Sequence, residues 1–221
     1  MKKEELWKGV EEYINDKIVK QESFMLDALI ESSKAGLPPI NVDPPEGKLM
    51  HIILKSIGAK RALEVGVLGG FSGLWIASAM KGGKLIGLEK SEKHVRVAME
   101  NIKNAGFQES VEIIEGDAIL SLKKLIEDKV NPFDFILIDA NKEPYLEYFL
   151  LAMKLSHSGT IIFVDNMVWG GQVISDSTEN RDILGIRRLY NDLQKRNDVD
   201  ATVVQTVGSK GYDGFAVIRV K

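Results

Sequence analysis

Two apolar, strand-like runs end in residues that ligate cations. Phe135-Ile136-Leu137-Ile138 runs into Asp139, and Thr160-Ile161-Ile162-Phe163-Val164 runs into Asp165-Asn166. Parallel α/β sheets collect their ligands at the carboxyl ends of the strands, so two carboxylates and one amide oxygen would meet at a single sheet edge. Oxygen-only ligation suits a hard divalent cation, with Mg²⁺ first and Mn²⁺ or Ca²⁺ behind it, over zinc. Lys142, three residues after Asp139, falls beside the same edge. Taken singly these residues have ordinary explanations, since Asp and Asn cap helices and fill loops and most lysines are solvated. Their joint placement points to a cation held beside a cofactor.

A second constellation says which cofactor. The first strand delivers Glu64-Val65 into the turn Gly66-Val67-Leu68-Gly69-Gly70-Phe71-Ser72-Gly73. This spacing lacks both the G-x-G-x-x-G of nicotinamide-binding folds and the G-x-x-x-x-G-K-[ST] of nucleoside triphosphate loops. Glu64 at the strand end can accept from an ammonium group. Ser72 and the helix N-terminus behind it can meet a carboxylate through amides and the helix dipole. Glu89 closes the second strand, where an acid grips ribose hydroxyls, and Asp117-Ala118 closes the third, where adenine would lie. An amino acid joined to an adenosine satisfies all four positions, which describes S-adenosylmethionine.

The elements that must position these residues alternate along the chain. Strands are expected at 61–65, 84–89, 111–115, 133–139 and 160–165, with helices at 72–80, 91–104, 117–127, 143–155 and 182–195. Such alternation predicts a doubly wound, mostly parallel sheet with helices on both faces. Residues 201–207 and 215–220 are β-rich and flank the turn-rich stretch 208–214, which predicts an antiparallel C-terminal hairpin. Residues 7–34 carry apolar side chains at helical spacing, and a proline-bearing connector leads into a helix over 46–57. Residues 1–45 thus read as a helical extension and connector attached to one domain.

At 221 residues the chain fits a single core. It has no cysteine, which removes disulfides, thiolate catalysis and cysteine-ligated metals. The opening Met1-Lys2-Lys3-Glu4-Glu5 mixes acids with bases and precedes no apolar core, so a cytoplasmic protein without a secretory signal is expected. Val65 to Met80, the longest uncharged stretch, falls short of the roughly 20 residues that cross a bilayer. A net charge of −3 argues against a broad nucleic-acid surface. His51, His94 and His157 fall on helical patterns or a loop and read as structural.

Leu63-Glu64-Val65-Gly66 with Gly70-Phe71-Ser72, Asp139-Ala140-Asn141-Lys142 at a strand end, and Asp165-Asn166 with Trp169 together resemble the cation-dependent O-methyltransferases of the caffeoyl-CoA and catechol type, in particular small bacterial members. The likeness runs from about Val42 to the C-terminus. It implies a Rossmann-like fold and a homodimer. It also implies cofactor contacts from Val42, Glu64, Gly66, Val67, Gly70, Ser72, Glu89, Asp117, Ala118, Asp139 and Asn141. Asp139, Asp165 and Asn166 would hold the metal, and Lys142 would lie beside the acceptor hydroxyl. One position departs: the family reads Asp-Ala-Asp-Lys where this chain has Asn141, which removes a carboxylate that normally approaches the cofactor.

The expected chemistry is methyl transfer to a hydroxyl of a small aromatic vicinal diol. A neutral phenol, with a pKa of ~10, is a poor nucleophile, and a bound cation can lower that pKa while fixing the oxygen in place. Lys142 would take the proton or add positive charge near the oxyanion. Trp169 and Tyr212 are candidates to wall the aromatic acceptor. Two other readings compete: methylation of a hydroxylated uridine in tRNA, disfavoured by the acidic balance, and a non-catalytic S-adenosylmethionine-binding module, disfavoured by the intact Asp139, Lys142, Asp165 and Asn166.

Overall fold

The computed structural model describes residues 2–175 and 177–221. Its centre is a seven-stranded sheet in the order β3-β2-β1-β4-β5-β7-β6. The strands are β1 (Arg61–Val65), β2 (Lys84–Glu89), β3 (Val111–Glu115), β4 (Phe133–Ile138), β5 (Ser156–Val164), β6 (Val199–Gly208) and β7 (Gly211–Val220). The first five pair in parallel, and β7 joins β5 and β6 antiparallel. The doubly wound sheet and its terminal hairpin are thus as expected.

Alternation along the central strands assigns each side chain to a layer. Leu63, Val65, Ile136 and Ile138 bury against α6 (Ala118–Glu127), α7 (Tyr145–Lys154) and α8 (Arg181–Leu193), with Leu122, Phe149 and Ile186 as facing residues. Ala62, Phe135, Leu137 and Phe163 bury on the other face, against Met50 and Leu54 of α3 (Pro44–Ser56) and Trp75 of α4 (Phe71–Ala79). Glu64 shares the face of Ala62, so the alternation that builds the core also aims a carboxylate at α4. A smaller cluster joins α2 (Ser23–Lys34) to α5 (Glu92–Asn104) through Ala28 and Ala98.

The chain order reverses between β1 and β4, the place where such sheets open a crevice. There the ladder runs one bond beyond the strands: the Asp139 amide donates to the Val65 carbonyl at 2.9 Å, and the Asp165 amide to the Ile138 carbonyl at 3.1 Å. Both acids therefore leave their strands at the same level.

The N-terminal extension is helical as expected, in two pieces: α1 (Lys3–Ile14) passes into a π-helical turn over Asn15–Val19 and stops at Lys20, whose φ of 41° is left-handed, before α2. Neither glycine nor proline marks this break. One expectation needs correction. The C-terminal stretch expected as a long turn is mostly ladder, since pairing continues to Gly208 and Gly211 and leaves only Ser209-Lys210 as the loop. Its glycines are strand residues; a Cβ at Gly214 would meet the Val204 carbonyl and the Val168 side chain.

Gly66 is the tightest joint at the crevice. Its φ is 94°, and a Cβ there would collide with the carbonyl of Asp139. Gly66→Ala is expected to destabilise the protein by about 2 kcal/mol or more in urea unfolding, because strain and collision act together.

Candidate active site

The crevice is one cavity of about 1280 Å³. That exceeds what one drug-sized ligand fills and leaves room for a nucleoside-bearing cofactor and an acceptor together. The glycine turn forms its floor. Gly70, at φ 84°, precedes α4 without a side-chain cap, so the first amides of the helix are open to a ligand. Glu89 braces this turn: its Oε2 accepts from the amides of Val67 and Leu68 at 3.1 and 2.9 Å, and its Oε1 from that of Ser91 at 2.9 Å. Asp117 caps α6 through the amides of Ile119 and Leu120 while facing the cavity.

Beneath the turn Glu64 is fully buried. Ser72 donates its hydroxyl to Oε1, and Oε2 is buried with no partner. Burial first, then the negative charges of Asp139 and Glu89, push its carboxyl up to about 8 against the Ser72 hydrogen bond. An acceptor in this condition is a cradle for a cationic ligand group such as an ammonium. Gly73 is constrained by the same carboxylate, which a Cβ there would approach to 3.0 Å.

The opposite wall carries the acids of β4 and β5. Lys142 Nζ sits 3.0 Å from Asp139 Oδ1, with both side chains largely buried. Asp165 is 8% exposed, and its Oδ1 accepts from the Asn166 amide at 2.6 Å. Burial and the adjacent Asp139 raise the Asp165 pKa, opposed by Lys142. A third acid joins them. Glu46, in the first turn of α3, has a buried Oε1 without any partner, and its pKa is raised well above the usual carboxylate range by burial and by Asp165, Asp139 and Asp43. No group of three or more His, Cys, Asp or Glu side chains arranged to hold a metal is found among the described residues. The orphaned oxygen of Glu46 and the mutual repulsion of buried acids nonetheless fit a cation, with the Asn166 amide completing an all-oxygen set.

Most residues singled out in the sequence meet here. Val42, Gly66, Val67, Ser72, Glu89, Asp117, Ala118, Asp139, Asn141, Lys142, Asn166 and Trp169 line the cavity; Glu64, Gly70 and Asp165 do not line it, although each adjoins a lining residue, Glu64 by its hydrogen bond from Ser72 and the other two along the chain. Tyr212 does not join them. Its ring stands behind Gly171, lining a second cavity of about 530 Å³, and its hydroxyl bonds Gln205. Several lining residues escaped sequence reasoning. His94 of α5 approaches Glu89 at 3.4 Å and lines the cavity. Tyr148 donates to Asn141 Oδ1 at 2.7 Å, anchoring the amide at the departing position. Lys210, at the hairpin tip, pairs with Asp43 at 2.8 Å and bonds the Asn41 carbonyl, tying the tip to the connector before α3. Glu46 and Lys210 carried one sequence signal, their place beside Asp43-Pro44-Pro45 and within the Gly208–Gly214 stretch; neither pattern names a partner.

The Rossmann-like fold is shared with O-methyltransferases solved with SAH or SAM. The O-methyltransferase family profile matches residues 16–219, and the chain belongs to that family. It is 40% identical over 218 residues to a catechol O-methyltransferase of Niastella koreensis, covering 98% of this chain and 99% of that one. It is 37% identical to a catechol O-methyltransferase of Mycobacterium tuberculosis, covering 96% and 95%. Among solved structures, a Bacillus cereus O-methyltransferase in complex with SAH superposes with a TM-score of 0.96 at 41% identity, over 99% and 100% of the two chains. TomG of Streptomyces achromogenes, solved with SAM, does so with a TM-score of 0.96 at 36% identity over the whole of both chains. The enzyme class expected from the sequence, an S-adenosylmethionine-dependent O-methyltransferase, is the class of these relatives. Among the described residues no helix is long and apolar enough to cross a membrane.

The raised carboxyl of Glu64 gives a pH signature. Folded, it holds its proton up to about 8, whereas its unfolded value is 4.5. The native state therefore binds the extra proton between these values, and stability falls as pH rises through that window. In ligand-free protein, Glu64→Gln is expected to make this slope shallower in urea unfolding from pH 5 to pH 8, leaving the share that the raised carboxyls of Asp165 and Glu46 contribute. The same variant should bind S-adenosylmethionine at least about tenfold more weakly, having lost one charged hydrogen-bond acceptor.

Proposed function

We propose that this protein transfers the methyl group of S-adenosylmethionine to one hydroxyl of a small aromatic vicinal diol, with a divalent cation, Mg²⁺ foremost, held by Asp139, Asp165 and Asn166. The observation that carries the reading is the nearness of the buried Asp165 and of Glu46, with its orphaned oxygen, to Asp139, which lines the same cavity as Ser72 and the glycine turn. The names of the two catechol O-methyltransferases among its relatives support the acceptor class.

When bound, the cation would lower the pKa of the acceptor hydroxyl and fix its oxygen, and the cofactor would supply an electrophilic methyl. The chain's own residues do the rest. Glu64 receives the ammonium end, and the open amides of α4 with Ser72 receive the carboxylate end. Lys142, held 3.0 Å from Asp139, places positive charge or a proton acceptor beside the reacting oxygen. Trp169 offers an apolar wall at the acceptor end. No covalent enzyme intermediate is needed, so positioning supplies much of the rate. A homodimer belongs to the same reading; the exposed Leu6, Val10 and Tyr13 on one face of α1 support a partner surface.

The test is incubation with S-adenosylmethionine and a panel of catechols, with Mg²⁺ or with chelator, read by mass spectrometry. Methylated product that disappears with chelator and with Asp165→Ala is expected; turnover indifferent to both would overturn the metal reading. Lys142→Ala is expected to lower kcat by about 100-fold or more while leaving cofactor affinity within a few-fold.

A further inference from the structure

The segment after β5 is held in an uncommon backbone shape. Asn166 and Trp169 have φ of 55° and 51°, left-handed values that non-glycine residues adopt rarely. One side chain spans both. Asp213 of β7 accepts through Oδ1 from the amides of Val168, Trp169 and Gly214 at 3.1, 2.7 and 2.9 Å. Its Oδ2 accepts from Asn166 Nδ2 at 3.0 Å. Tyr145 and Tyr190 hold the backbone of the same segment by donating to the carbonyls of Asp165 and Met167, but neither touches the Asn166 amide.

A side-chain amide has one acceptor and one donor end, and a carboxylate can only accept. The bond to Asp213 therefore fixes which end of Asn166 faces away from β7: Nδ2 is taken, and Oδ1 is left for the cation side. We propose that Asp213 is a positioning residue that sets the orientation of the Asn166 amide, and so makes it an oxygen ligand rather than a nitrogen that would repel the metal. Outer partners of this kind orient metal ligands and their loss typically lowers affinity by about 10–100-fold. The proposal rests on the metal reading above.

The test uses an isosteric exchange. Asp213→Asn keeps an oxygen for the three amides but turns a donor toward Asn166 Nδ2, so the Asn166 amide must rotate or lose its partner. Coupling it with Asn166→Asp restores one donor and one carboxylate across the same contact with the charge of the pair unchanged. Mn²⁺ binding is measured by electron paramagnetic resonance of the free ion, alongside S-adenosylhomocysteine affinity and melting temperature for each protein. Asp213→Asn is expected to bind Mn²⁺ about 10–100-fold more weakly with S-adenosylhomocysteine affinity unchanged, and the double variant to recover to within a few-fold of wild type. Equal Mn²⁺ affinity in wild type and Asp213→Asn would overturn the proposal. So would a double variant that fails to recover, including one that fails to fold, because Asp213 would then serve only the loop. Absence of Mn²⁺ binding by wild type itself would instead bring down the metal reading together with this one.

Discussion

The site depends on like charges held together under cover. Asp139 and Asp165 leave adjacent strands at one level because the β1–β4–β5 ladder extends one bond past each strand end. Glu46 is brought to them by α3. Burial first, and then the charge of Asp139, raises the pKa of Asp165 against Lys142; burial, and then Asp165 and Asp139, raises that of Glu46. Under the proposed reading a divalent cation would relieve this repulsion without protonation.

The rest of the fold serves that edge and the turn opposite. The switch in strand order opens the crevice, and Gly66 lets β1 and β4 approach closely enough to share it. Glu64, a core position by alternation, trades packing for an acceptor facing α4. The hairpin closes the far side: β7 fixes the segment after β5 through Asp213, while Lys210 at its tip reaches the connector ahead of α3. Cofactor floor, acid wall and cover are thereby contributed by distant parts of the chain.

Much of this was legible in the sequence because it rests on local signals. Period-two apolar runs ending in Asp139 and Asp165 located the acids, and the glycine turn with Ser72 located one wall of the cavity. What escaped were residues whose role exists only in three dimensions. Glu46 looks like an ordinary acid in the first turn of a helix, and Asp213 like a turn residue. Their partners lie 119 and 47 positions away, at Asp165 and Asn166. Tyr212 shows the converse. Its place in the terminal turn suggested the acceptor pocket, yet its ring packs on Gly171 and lines the second cavity instead. The break at Lys20 carried no turn residue at all.

The most direct test of the central claim is a crystal structure of the protein soaked or grown with Mn²⁺, read from the anomalous difference map near the manganese edge. The account predicts one strong peak bounded by Asp139, Asp165 and Asn166, with oxygen ligands at about 2.0–2.2 Å, the range of small hard cations. A clean map at that position, with Asp139, Asp165 and Asn166 still in place, would contradict it.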